Sequence, residues 1–361
     1  MQDRLTRLRK RMSQTGTDLV ALGPGPHLDW LLGFHPHPDE RPCLLLIGTE
    51  AEAFLMPALN AEGSREHTDI AFHEWADADG PLEALNGALS ATGTDRARSV
   101  AIDETMRADF ALLLLDQLPN ARRDFTNDTV GALRMRKDET EYALLKENAL
   151  INDRAMLAAF AAIKPGMTEV ELGDIIRSAH AEEGARTEFC IVGGGKNGAF
   201  PHHQTGDRKF QPGDAVVIDT GARSKGFPSD MTRMAVLGRP PEGYLEVHDI
   251  VDRAVQSALA AAKPGAMAKD VDAAARGVIS NAGYGEYFVH RTGHGLGIEV
   301  HEQPYITATS EMVLDEGMVF SIEPGIYLPG RFGIRLEEIV ILRADGSEIF
   351  SELPRDLHIS T

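Results

Sequence analysis

Five side chains in the C-terminal part of the chain have the types that bind divalent metals. They are Asp219 in Val216-Val-Ile-Asp-Thr-Gly-Ala222, Asp230 in Ser-Asp, His294 in Thr-Gly-His-Gly, Glu323 in Ser-Ile-Glu-Pro-Gly and Glu337 in Arg-Leu-Glu-Glu. Four carboxylates and one imidazole suit hard Mn²⁺ and borderline Co²⁺, Fe²⁺ or Zn²⁺, and a carboxylate can bridge two such ions about 3.5–4 Å apart with a hydroxide between them. That hydroxide is a nucleophile at neutral pH. Gly293, Gly295 and Gly297 surround His294 and permit the close backbone approach that a compact site requires.

The elements that must position these groups are written twice. Ala162-Ile-Lys-Pro-Gly166 recurs as Ala261-Ala-Lys-Pro-Gly265, and Arg177, Gly184 and His202 recur as Arg276, Gly283 and His301, all at an offset of 99. Gly213-Asp-Ala-Val-Val-Ile-Asp219 then parallels Gly317-Met-Val-Phe-Ser-Ile-Glu323 at an offset of 104. Each half thus offers an apolar strand closed by a carboxylate and a second carboxylate further on. Two such halves facing each other would build a pseudo-symmetric cup with the acids at its floor.

Upstream, the pattern alternates. The sequence predicts an opening helix, a strand over 18–22, a helix over 27–33, strands over 43–47 and 52–56, a strand over 99–102 and a helix over 108–118, together a three-layer α/β domain. A boundary is expected near Thr129 to Lys137, dividing an N-terminal domain (1–130) from a catalytic domain (131–361). The second domain opens on a long helix from Asp138 to Ile163, stopped by Lys164-Pro-Gly166, and Thr168 with Glu171 signals the next capped helix. Gly221 to Ser229 reads as a hairpin loop before Asp230, and a further helix spans Tyr244 to Ala262.

Composition excludes several function classes. With 361 residues, 43% of them apolar, the chain has enough material for two domains and a large core. A formal charge of −19 argues against nucleic-acid or anionic-membrane partners, which select basic surfaces. Cys43 and Cys190 are the only cysteines, so a disulfide framework and a Cys-rich zinc site are excluded and a reducing cytoplasm is expected. No apolar run approaches the roughly 18 residues of a membrane span. The Arg-rich opening segment lacks the apolar stretch and cleavage site of a secretion signal, and its Leu5, Leu8 and Met12 fall at helical spacing under a solvated basic face.

Competing motifs fail on spacing. His301-Glu302 begins like a zincin helix, but Tyr305 stands where the second histidine belongs and Pro304 interrupts the turn. Gly193-Gly-Gly-Lys-Asn-Gly198 imitates a phosphate loop but has Asn197 in place of the hydroxyl residue. Gly293-His-Gly-Leu-Gly297 lacks the glycine spacing of a dinucleotide fingerprint.

Taken together, these motifs resemble the pita-bread metallopeptidases, and within them the branch of prolidase (Xaa-Pro dipeptidase) and aminopeptidase P. The resemblance extends to the N-terminal domain through Trp30-Leu-Leu-Gly-Phe34. It implies an α/β N-terminal domain followed by an α+β pita-bread catalytic domain, usually in a homodimer. It further implies that Asp219 chelates one ion, that His294 and Glu323 bind the other, and that Asp230 and Glu337 bridge both. Glu323 would shuttle a proton, and His202, His290 and His301 would line the substrate pocket. Arg335 would orient a bridging carboxylate, and Tyr327 would line the site. Two divalent ions are implied, Mn²⁺ first, with Co²⁺, Zn²⁺ or Fe²⁺ as alternatives. Arg291, Pro228, His203 and Glu338 depart from residues common in the family.

The implied substrate is a small peptide with proline in second position. The gaps from Asp230 to His294 and from Glu323 to Glu337 are compact, which favours prolidase over aminopeptidase P acting on longer Xaa-Pro peptides. A non-peptidase hydrolase on the same fold and a metal-free binding protein are the readings from other classes, and the full ligand set weighs against both. A dipeptide needs a cation for its terminal carboxylate, and Arg41, in His35-Pro-His-Pro-Asp-Glu-Arg-Pro42, is the expected one.

Overall fold

Leu44, Leu45, Leu46 and Ile47 are all fully buried, so the strand they form has both faces covered. That requirement organises the first of two units, which meet in sequence between Arg134 and Met135 in a computed structural model describing residues 2–360. In chain order the first unit comprises α1 (Gln2–Thr15), β1 (Leu19–Leu22), α2 (Pro26–Leu32), β2 (Leu44–Ile47), β3 (Glu52–Pro57), α3 (Ala58–Arg65), β4 (Ala71–Trp75), α4 (Leu82–Ala91), β5 (Ser99–Ile102), α5 (Ala108–Gln117), β6 (Arg122–Phe125) and α6 (Val130–Arg134). Its sheet has the order β4-β3-β2-β1-β5-β6, antiparallel in the middle and parallel toward both edges. Leu19 and Ala21 face a core shared with Leu85 and Leu89 of α4 and Phe110 and Leu114 of α5.

Two expectations change here. The edge strands β4 and β6 and the helices α3 and α4 lie outside the elements read from sequence; β6, Arg-Arg-Asp-Phe, is exposed along its length and is a strand only because it pairs with β5, Ser99 opposite Arg122. The basic face of α1 is also less solvated than expected. Leu5, Leu8 and Met12 are buried as the spacing predicts, but Arg9 pairs with Glu52 and Arg4 lies over the Trp30 ring.

The second unit is built twice over. Its elements are α7 (Glu139–Ala162), α8 (Glu169–Glu182), β7 (Arg186–Gly194), β8 (Ala215–Ser224), β9 (Phe227–Pro228) and β10 (Met231–Leu237), then α9 (Tyr244–Ala261), α10 (Ala268–Asn281), β11 (Gly293–Gly295), β12 (Glu302–Ile306), β13 (Val319–Ile322), β14 (Gly325–Leu328), β15 (Phe332–Arg335), β16 (Glu338–Arg343), β17 (Gly346–Ile349) and β18 (His358–Ser360). One sheet runs β18-β10-β8-β7 with β9 on β8, the other β12-β11-β13-β16-β17, and β14 and β15 form a separate hairpin. α8 and α10 begin and end at positions 99 apart.

The repeat holds at the level of single hydrogen bonds. Gly166 N–H donates to Phe210 O (2.9 Å) and Gly265 N–H to Leu314 O (2.8 Å), while Thr168 bridges Lys209 as Met267 bridges Val313. The capping boxes at Asp138 and Thr168 start α7 and α8 as their sequences require.

The strand carrying Asp219 corrects the sequence reading. It does not close at that residue but continues to Ser224, and only Lys225-Gly226 turn before β9. Gly221 suggested a turn, yet it is a strand residue whose missing side chain makes room for Ser229: a Cβ there would lie 2.1 Å from Ser229 O.

Gly166 and Gly265 both adopt left-handed backbone, φ 86° and 88°, with nothing within 4 Å of an added Cβ. Gly166→Ala and Gly265→Ala should therefore each cost about 1 kcal/mol of backbone strain and nothing in packing. Urea unfolding should give nearly equal losses; a large difference would show that the two turns are not equivalent.

Candidate metal centre

Strand register brings the acids together. Asp219 lies opposite Thr232 in the β8–β10 ladder, and Asp230 immediately precedes β10. In the other half Ile322 lies opposite Glu338, which brings the adjoining Glu323 and Glu337 to the same end of the β13–β16 ladder. His294 is the middle residue of β11, opposite Tyr305. Its glycine neighbours are obligatory, because a Cβ at Gly293 would stand 1.8 Å from Ser321 O and one at Gly295 2.2 Å from Gln303 O.

Ligand-type atoms of Asp219, Asp230 and Glu337 lie within 4.8 Å of one another, as do those of His294, Glu323 and Glu337, and those of Asp230, His294 and His301. Asp230, His294 and Glu337 each belong to two groups. His294 Nδ1 is 3.1 Å from the Gly295 carbonyl, to which it donates, so Nε2 presents a lone pair 3.3 Å from Glu323 and 3.7 Å from Asp230. Lone pairs facing each other at that range need a cation or a proton between them. The donor set and its geometry therefore fit divalent metal.

Electrostatics point the same way. Burial, reinforced by the neighbouring carboxylates, holds Asp230 and Glu337 well above the usual carboxylate pKa. Asp219 is raised by burial, with Arg335 opposing. For Glu323 burial acts upward too, but with a proton on His294 Nε2 the hydrogen bond and charge of that ring, with help from His290 and Arg335, bring it down to about 2.

Arg335 organises one wall. Its guanidinium bonds Asp219, donates from Nε to Thr232 Oγ1 (3.0 Å) and from Nη1 to Tyr327 OH (2.7 Å). Thr232 in turn donates to Glu337 Oε2 (2.8 Å), so one arginine and one hydroxyl fix two of the acids. Since Tyr327 OH accepts from Arg335, its proton points to His290 Nε2 at 2.8 Å, while His290 Nδ1 donates to the Arg291 carbonyl (2.7 Å). Both nitrogens of His290 are thus engaged within the protein. Ser321 supports the opposite wall: its hydroxyl donates to Glu323 (3.2 Å) and accepts from His294 N–H (3.0 Å).

All five acid and imidazole candidates, with His202, His290, His301 and Arg335, line one cavity of about 650 Å³. Tyr327 stands behind its wall. The rings of His301 and His294 have centroids 3.9 Å apart, and burial, then the His294 and Arg291 charges, lower His301 to about 4. Arg41 belongs to the first unit, where Asp39, Glu40 and Asp77 all pair with its guanidinium.

Sequence reasoning overlooked Thr232, Ser321 and the apolar lining residues Phe189, Ile191 and Val300. Strand alternation from Asp230 to Thr232, and from Ser321 to Glu323, was the available signal. The phosphate-loop imitation also resolves. Gly194 N–H, Asn197 Nδ2 and Gly206 N–H all donate to the buried Glu169 carboxylate, which also contacts His203 at 2.8 Å, so the chain's own anion takes these donors.

Comparison with known proteins matches residues 143–344 to the model of metallopeptidase family M24 and residues 4–136 to that of the creatinase/prolidase N-terminal domain. The probable dipeptidase PepE of Mycobacterium tuberculosis is 37% identical over 345 residues, covering 94% of this chain and 91% of that protein. The Xaa-Pro dipeptidase of Lactobacillus helveticus is 34% identical over 366 residues, covering 98% of each. Among solved structures, dipeptidase PepE from Mycobacterium ulcerans superposes with a TM-score of 0.94 at 36% identity, over 99% of this chain and 97% of that one.

Thr232→Val would keep the shape of the site but leave Arg335 Nε and Glu337 Oε2 each without the hydroxyl they share. Unfolding free energy should fall by about 1–3 kcal/mol, with weaker Mn²⁺ binding by calorimetry. Unchanged values for both would show that the hydroxyl does not hold the site together.

Proposed function

The chain belongs to metallopeptidase family M24, and from that premise we propose that it hydrolyses the Xaa-Pro bond of dipeptides with two divalent ions, Mn²⁺ first among them. The observation that carries this reading is the convergence of Asp219, Asp230, His294, Glu323 and Glu337, from two symmetric halves, on one cavity also lined by three histidines. In this reading Asp219 would hold one ion and His294 and Glu323 the other, with Asp230 and Glu337 shared between them, consistent with the mixed carboxylate and imidazole clusters in which these five residues meet.

When bound, the ions supply Lewis acidity that polarises the scissile carbonyl and lowers the pKa of water. The chain's own residues do the rest. Glu323 is an ionised carboxylate within the cluster, placed to accept the proton that the attacking water gives up and to pass it toward the leaving nitrogen. His301, brought down to about 4 chiefly by desolvation at the cavity wall, and His202 supply imidazole N–H groups for the oxyanion and the departing amine. Arg335 and Thr232 fix the carboxylates before substrate arrives, so little reorganisation remains for the reaction. Phe189, Ile191, Pro201 and Val300 give the cavity apolar surface for a proline ring.

Proline accounts for a dedicated enzyme, because its tertiary amide lacks the N–H by which other peptidases grip a backbone. The names of the two relatives, both dipeptidases, favour dipeptides over longer peptides. The free thiols of Cys43 and Cys190 suit a reducing cytoplasm, and among the described residues no helix is long and apolar enough to cross a membrane.

Proline release from Ala-Pro and alanine release from Ala-Pro-Ala, measured after metal stripping and Mn²⁺ reloading, test the proposal. Metal-dependent cleavage of Ala-Pro with little of Ala-Pro-Ala is expected. The reverse preference would indicate aminopeptidase P, and metal-dependent cleavage of neither would sink the Xaa-Pro reading.

A further inference from the structure

A dipeptide ending in proline carries its free carboxylate one carbon from the leaving nitrogen. A group that grips that carboxylate must therefore lie within roughly 5–6 Å of the scissile nitrogen, the reach of the three bonds N–Cα, Cα–C and C–O and one hydrogen bond. Only a cation in the wall of the metal cavity meets that condition. The arginines lining the cavity are Arg335 and Arg291. Arg335 has its guanidinium committed to Asp219, Thr232 and Tyr327. Arg291 is half-buried, and among the described residues its guanidinium has neither a carboxylate nor a hydrogen-bond partner.

What holds Arg291 leaves its donors free. Its guanidinium lies over the Tyr305 ring, 4.6 Å from the centroid, and Tyr305 is the ladder partner of His294. Stacking on a ring face fixes the guanidinium plane while its N–H edge stays available for a planar carboxylate. The backbone on both sides is pinned. Arg276 donates to the His290 carbonyl (2.9 Å), the buried Asp272 accepts from Thr292 N–H (3.2 Å) and hydroxyl (2.8 Å), and Asp272 also pairs with Arg276. The arginine is thus presented from a rigid segment between His290 and β11.

Resting on the Xaa-Pro reading above, we propose that Arg291 is the anchor for the substrate's terminal carboxylate and so selects dipeptides over longer peptides. A longer peptide would bring a neutral amide to the guanidinium, losing the charge-assisted pair. Arg41 is the weaker candidate because Asp39, Glu40 and Asp77 already match its charge.

The experiment compares Mn²⁺-loaded wild type, Arg291→Met, Arg291→Lys and Arg41→Ala on Ala-Pro and its C-terminal amide. Calorimetric binding of L-proline and L-prolinamide gives a readout without turnover. Arg291→Met should lower kcat/KM for Ala-Pro on the order of 30-fold, mostly through KM, with far less effect on the amide. It should also abolish the preference for L-proline over L-prolinamide, with Arg291→Lys recovering part of both. A preference that survives in Arg291→Met, or that disappears in Arg41→Ala alone, overturns the proposal. Failure of wild type to cleave Ala-Pro would count against the Xaa-Pro reading, whereas the product-binding comparison still decides whether Arg291 grips a carboxylate.

Discussion

Asp219, Asp230, Glu323 and Glu337 are held largely out of water within a few ångströms of one another, and like charges so placed repel strongly in a medium of low dielectric. Much of the second unit answers that repulsion. Arg335 neutralises Asp219, Thr232 shares its hydroxyl with Glu337, and Ser321 supports Glu323. His294 turns its proton toward Gly295 and its lone pair toward the acids. The remaining excess of negative charge is what a site for divalent cations requires, and burial first, then that charge, is why Asp230 and Glu337 favour their protons so strongly when only protein atoms surround them.

Duplication explains how such a cluster can be assembled with little local strain. Each half supplies one acid from a strand, or from the residue just after it, and another from the residue that precedes that strand's antiparallel partner: Asp219 on β8 with Asp230 before β10, Glu323 after β13 with Glu337 before β16. The helices α8 and α10 have the same length and begin and end 99 positions apart, so the two halves carry matching supports. The halves then diverge in what they anchor. In the first, buried Glu169 gathers the donors of the loop that leads to His202; in the second, buried Asp272 and Arg276 pin the segment that carries His290 and Arg291. Symmetry places the ligands, and the departures from symmetry shape the cavity around them.

Several features were legible in the residues because their physical causes are local. Capping boxes at Asp138 and Thr168, the Lys-Pro-Gly stops and the stripe of Leu5, Leu8 and Met12 depend on neighbours a few positions away. The edge strand β6 was not legible, because four exposed residues become a strand only through a partner, β5. Gly221 misled for a related reason: a glycine needed for close approach to Ser229 looks, in isolation, like a glycine needed for a turn.

The sequence by itself determined which side chains could bind metal, that their supports were duplicated, and which family they resembled, since residue type and spacing carry that information directly. Tertiary structure decided how charge is distributed among them. Thr232 joins Arg335 to Glu337 across more than a hundred residues, Tyr327 occupies a nitrogen of His290, and the guanidinium of Arg41 is engaged by three acids while that of Arg291 faces the cavity. Hydrogen bonds and ion pairs form between atoms that folding brings together, so their pairing is a property of the fold rather than of the spacing of residues along the chain.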